Sequence, residues 1–157
     1  MLRITKQTDY GIMLLAHMAE LPAGQVVSAR DAADWSGLSL PMVSKILKRL
    51  ARQSIVASQR GAGGGYTLVQ SPDETSVASV IRALEGPISM VECGAQPGQC
   101  EQESSCPVRV NWARINDEVA RALERVQISE MLGPDSGGLL SVGSRGKATN
   151  SGSEGIA

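Results

Sequence analysis

Leu38-Ser39-Leu40-Pro41-Met42-Val43-Ser44-Lys45-Ile46-Leu47-Lys48-Arg49-Leu50-Ala51-Arg52 decides the fold. Ser39 has the chemistry of a helix N-cap, and Pro41 falls in the first turn, where a missing N–H costs nothing. The spacing predicts a helix over 40–52 with Val43, Ile46, Leu47 and Leu50 inward. Ser44, Lys45, Lys48, Arg49 and Arg52 then face outward. From residue 45 to residue 60 there are five positive charges and no acid.

Immediately upstream, Ser28-Ala29-Arg30-Asp31 has the spacing of a capping box, with Asp in place of Glu. It opens a short helix over 29–36 that stops at Gly37. Two short helices joined at a glycine, the second basic on its outer face, form a helix-turn-helix signature. Each phosphate such a face neutralises releases counterions, so binding to DNA would be steeply salt-dependent. Further upstream, residues 5–20 predict a first helix with Tyr10, Met13, Leu14, His17 and Met18 on one face. His17, the only histidine, reads as a packing residue.

Downstream, Ile55–Gln59 and Tyr66–Val69 are short strand patterns around Arg60-Gly61-Ala62-Gly63-Gly64-Gly65. A helix-turn-helix followed by a hairpin is a winged helix, and the glycine-rich tip is its wing. A nucleotide-binding phosphate loop is excluded, because Lys-Ser/Thr is missing and the glycines lead into a strand. The wing glycines leave room for backbone N–H groups near DNA phosphates, and Arg60 suits a narrow minor groove. Ser76 then caps a helix over 77–85 that is stopped by Gly86-Pro87. Residues 88–92 keep apolar side chains and read as a strap.

All three cysteines lie in Cys93-Gly-Ala-Gln-Pro-Gly-Gln-Cys100-Glu-Gln-Glu-Ser-Ser-Cys106. Gly94, Pro97 and Gly98 break helix and strand there. Three thiols on a short polar loop can converge, and soft thiolates favour zinc, copper(I) or an iron–sulfur cluster. Pro107 is placed as the first residue of a long helix whose apolar positions, Val108, Trp112, Ile115, Val119, Ala122 or Leu123, and Val126, approximate a heptad seam. That pattern predicts a dimerisation helix. A helical stub follows at 128–132. Residues 133–157 hold seven Gly and five Ser and predict a flexible tail without a fold.

The bulk numbers agree with this layout. The 157 residues suit one domain with an appendage. Residues 1–70 carry eight Lys/Arg against four Asp/Glu, whereas 71–157 carry seven against twelve. The N-terminal half is therefore the half that meets a polyanion. Three cysteines do not make a secreted disulfide scaffold, and neither a signal peptide nor a membrane-length apolar run is present. The expected compartment is a reducing cytoplasm. With no Cys-x-x-Cys and no Cys/His pair in a catalytic frame, an enzyme is not expected.

The expected fold is mainly α: a winged helix-turn-helix with a two-stranded wing, plus a long C-terminal dimerisation helix. The boundaries are 1–92 for the DNA-binding domain, 93–106 for the cysteine loop, 107–132 for the dimerisation helix and stub, and 133–157 for the tail.

The chain resembles the Rrf-type, IscR-like winged-helix regulators, and within them the proteobacterial regulators of SUF iron–sulfur assembly. Met1–Tyr10, Leu40–Leu50, Arg60–Tyr66, Ala83–Pro87 and the run from Cys93 to Trp112 carry the resemblance, which covers residues 1 to about 132. It implies a homodimer on double-stranded promoter DNA and an iron–sulfur cluster held by Cys93, Cys100 and Cys106, 2Fe-2S favoured over 4Fe-4S. It also implies redox- and iron-responsive repression of cluster-assembly genes, with no membrane and no small-molecule substrate. By the same resemblance, DNA is read by Pro41, Ser44, Lys45, Lys48 and Arg49 in the helix and by Arg60, Gly64 and Tyr66 in the wing. One position departs from the pattern: the histidine expected three residues after the last cysteine is Arg109, which stays protonated and cannot ligate. A cluster normally takes four donors. Asp9 and His17 on the first helix are candidates for the fourth, by way of a partner subunit, and Glu92, Glu101 and Glu103 are nearer in sequence. Zinc or a thiol–disulfide switch in the same loop is the alternative reading.

Overall fold

A computed structural model describes residues 4–91, 94, 98 and 100–132. The element order is α1 (Lys6–Ala19), α2 (Ala29–Ser36), α3 (Leu40–Arg52), β1 (Val56–Gln59), β2 (Gly65–Leu68), α4 (Val77–Glu85), α5 (Arg109–Glu124) and a 3-10 turn (Ile128–Glu130). The mainly helical, winged fold expected from the sequence is present.

The caps explain most boundaries. Asp31 N–H donates to Ser28 Oγ (3.1 Å) and Ser79 N–H to Ser76 Oγ (3.2 Å). Gly37 ends α2 with a left-handed φ of 70°. Ser39 occupies the N-cap of α3 but its hydroxyl makes no capping bond. There Pro41 removes one of the donors that would otherwise need a partner.

Val43, Ile46, Leu47 and Leu50 of α3 are fully buried, as their spacing predicts. They meet Leu14 and Leu15 of α1 and Val80, Ile81 and Leu84 of α4 in one aliphatic core. Each buried leucine contributes roughly 2–3 kcal/mol of burial free energy. Gly11 lets α1 and α4 close on each other: a Cβ there would meet Leu84 Cδ1.

The wing is an antiparallel pair in register Val56↔Leu68 to Gln59↔Gly65. A third segment, which the sequence reading does not anticipate, joins it. Val27 and Tyr66 exchange both backbone hydrogen bonds at 2.8 Å. The wing is thereby tied to the segment that enters α2.

The long helix starts at Arg109 with Val108 as its cap, two residues later than the placement of Pro107 implies. Its C-terminal end docks on α4 through Arg82–Glu124 (2.6 Å) and through Leu123 at the core edge. The chain then turns back. Ile128 N–H donates to Thr75 O and Val77 N–H to Val126 O, both at 2.9 Å, and Ile128 is fully buried. The stub grouped with the long helix on sequence therefore completes the core of the N-terminal domain. The tail, 133–157, lies outside the described residues.

Candidate DNA interface and cysteine loop

Pro41, Ser44, Lys45 and Lys48 lie three or four residues apart on α3, so they share one face. Pro41, Lys45 and Lys48 are exposed and Ser44 is half-buried. Arg52 and Arg60 are exposed as well. Among the described residues no ion pair engages Lys45, Lys48, Arg52 or Arg60. A row of unpaired cations beside a wing is built for a polyanion.

Arg49 leaves this set. It is half-buried, and one guanidinium nitrogen donates to the carbonyl of Leu84 at the end of α4. The last carbonyls of a helix lack intrahelical partners and carry partial negative charge, so a cation settles there. Beside it, Glu85 accepts from the hydroxyls of Thr5 (2.5 Å) and Thr8 and from Thr5 N–H (3.2 Å). Partial burial pushes the Glu85 carboxyl up. The threonine hydroxyls, the Thr5 N–H and the charge of Arg49 together outweigh that, and hold it below its ordinary value. The back of α3 is thus locked to the start of α1 and the end of α4.

Two wing residues also carry structural duties. A Cβ on Gly64 would collide with the carbonyl oxygens of Gln59 and Gly61, so only glycine closes this turn. Tyr66 is half-buried against the core and paired with Val27 through its backbone. Of the wing positions assigned to DNA, Arg60 alone is exposed.

In the cysteine loop, Cys100 and Cys106 are free thiols and half-buried, whereas Cys93 lies outside the described residues. Among the described residues no three His, Cys, Asp or Glu side chains converge as a metal site. Glu103 stands midway in sequence between Cys100 and Cys106. Its carboxylate accepts from Gly98 N–H (2.5 Å) and pairs with Arg109 (2.9 Å). Arg109, in the position where the resemblance expects a ligand, instead pins the loop to the first turn of α5. The Gly98 and Arg109 contacts together commit both Glu103 oxygens, so Glu103 is a poor fourth donor. The chemistry of the donor set still fits a soft metal or cluster, with thiols as the matching ligands.

His17 is removed from the donor candidates. It is only 2% exposed, its ring meets Trp35 edge-on at 4.9 Å, and Nδ1 faces Glu20 Oε2 at 3.4 Å. A histidine enclosed in its own core cannot reach a partner's loop. Asp9 and Glu101 are exposed, and Glu92 lies outside the described residues.

The residue that sequence reasoning misses is Asn116. It is the one buried side chain among the described residues of α5. Met90 N–H donates to its Oδ1 (2.8 Å), and its Nδ2 donates to Ser89 Oγ (3.4 Å). The available signal was position: Asn116 follows Trp112 by four and precedes Val119 by three, a polar residue in an apolar row.

A family model described as Rrf2, iron-dependent transcriptional regulator, matches residues 4–134. The HTH-type transcriptional regulator IscR of Pectobacterium carotovorum subsp. carotovorum (strain PC1) is 27% identical over 131 residues, covering 83% of this chain and 79% of that protein. The structure of CymR, the global cysteine regulator of B. subtilis, superposes with a TM-score of 0.63 at 31% identity, covering 83% of this chain and 95% of that one. The IscR of T. potens shares the fold, with a TM-score of 0.61 at 24% identity over 83% of this chain and 85% of that one.

Proposed function

The chain belongs to the Rrf2 family as a DNA-binding transcriptional regulator of the IscR and CymR type, and on that premise we propose that it is a homodimeric repressor of iron–sulfur assembly genes, gated by a cluster on the cysteine loop. The observation that carries this reading is where the thiols sit. Every cysteine in the sequence falls between the strap leaving the DNA-reading domain and the helix that would join two copies. A centre assembled there supplies soft thiolate ligation, and its gain or loss changes the geometry between the two units.

The protein's own residues have definite parts in this scheme. Lys45, Lys48 and Arg60 meet phosphates, and Ser44 and Pro41 stand where base edges would be read. Arg49 ties α3 to the end of α4. Val108, Ile115 and Val126 expose apolar surface on or beside α5, the material of a two-fold seam. Cys93, Cys100 and Cys106 are the thiolate donors. Asp9 is the fourth-donor candidate left on the surface of α1.

Anaerobic purification tests the cluster. Iron and acid-labile sulfide in comparable amounts, with visible absorbance, are expected. Colourless protein without sulfide would end this reading. The second reading, zinc or a thiol–disulfide pair, draws support from Cys100 and Cys106 being free on one turn-rich loop. One zinc per chain without iron would favour it.

A further inference from the structure

We propose that Asn116 is a positioning residue for the cysteine loop: it clamps the strap to the long helix at the point from which the loop departs. A helix whose other described side chains are exposed or half-buried has no core-packing use for one buried amide. A buried amide with both donor and acceptor engaged is costly to leave unpaired, so the strap and Asn116 hold each other in place.

The geometry is specific. Asn116 receives Met90 N–H and donates to Ser89 Oγ. Ser89 is itself buried, and its hydroxyl donates to Val91 O while accepting from Val91 N–H (3.3 Å). On the far side, Gly94 N–H donates to Val91 O (3.1 Å). A Cβ on Gly94 would run into Asn116 Nδ2 and Ser89 Oγ. The strap at Ser89 and Met90 and the loop at Gly94 therefore meet at this one amide. The same amide belongs to α5, the helix assigned to the dimer seam. A rearrangement at the start of the loop reaches that helix through one side chain.

The inference rests on the cysteine loop being the sensing site, yet it is testable without any cluster. Metal-free full-length protein is compared with Asn116→Leu and Gly94→Ala by amide hydrogen exchange at Met90 and by alkylation of Cys93 relative to Cys106. Loss of the clamp should raise Met90 exchange and the relative reactivity of Cys93 about fivefold, the equivalent of the net worth of one buried hydrogen bond. Protection elsewhere in α1–α4 should be unchanged. If Asn116→Leu does not fold, Asn116→Ser is expected to give the same Met90 and Cys93 changes. Met90 exchange and Cys93 reactivity indistinguishable from wild type in the folded variants would overturn the proposal. A cluster-free wild type would sink the iron–sulfur reading and leave this result standing.

Discussion

The basic helix α3 and the long helix α5 have similarly legible apolar stripes and opposite fates. Every inward position of α3 is fully buried by its own chain. On α5 the single buried residue is polar, and Ile115 and Val110 remain 44% and 72% exposed. Periodicity identifies which face is apolar. It does not say which molecule covers that face. In α3 the answer is α1 and α4, and in α5 we assign it to a second copy of the chain.

The comparison can be broken most forcefully by replacing one side chain in each helix. Leu47→Ala in α3 should cost about 2–5 kcal/mol of unfolding free energy, read as a lower chemical denaturation midpoint. Ile115→Glu in α5 should leave the fold of the monomer intact and weaken self-association by roughly a hundredfold or more, the consequence of burying an uncompensated charge in a seam. Sedimentation over a concentration series measures it. A dimer indifferent to Ile115→Glu would place the seam elsewhere.

A second contrast lies within α3 itself. Lys48 is exposed and unpaired, whereas Arg49 is committed to the end of α4. Lys48→Ala should weaken DNA binding for all sequences and reduce the salt slope by about 1. Arg49→Met should leave the salt slope unchanged and lower stability by about 1–3 kcal/mol through the orphaned Leu84 carbonyl. Fluorescence anisotropy at several salt concentrations, with denaturation in parallel, separates the two.

The smallest effect concerns Glu85. Its carboxyl lies below its ordinary value in the folded state, and the unfolded chain restores that value. Its contribution to stability is therefore present above the ordinary glutamate range and is lost as pH falls through the lowered folded value. Glu85→Gln should be less stable than wild type near neutrality, and the two melting curves should converge in acid.

How much the sequence disclosed follows the same division. Local chemistry was readable: the Ser28 and Ser76 caps, the Gly37 stop and the α3 stripe all fell where side-chain preferences put them. Strand and helix ends shifted by one or two residues, as at Pro107, because terminal turns are settled by neighbours and not by their own propensity. Long-range polar pairings were not readable. Arg49 with Leu84, Asn116 with Met90, and Val27 with Tyr66 join residues far apart in the chain, and no local pattern records them. His17 illustrates the converse. Its place on the apolar face of α1 read as packing while the family resemblance offered it as a donor, and the placement of Trp35 shows it enclosed.

The central claim is most directly tested by one operator-binding isotherm, measured anaerobically on a single preparation before and after removal of its iron. The account predicts a shift of about fivefold or more, within the usual range of coupling between two sites. It also predicts that a variant with Cys93, Cys100 and Cys106 all changed to serine follows the iron-depleted curve. Superimposable curves for all three samples would contradict it.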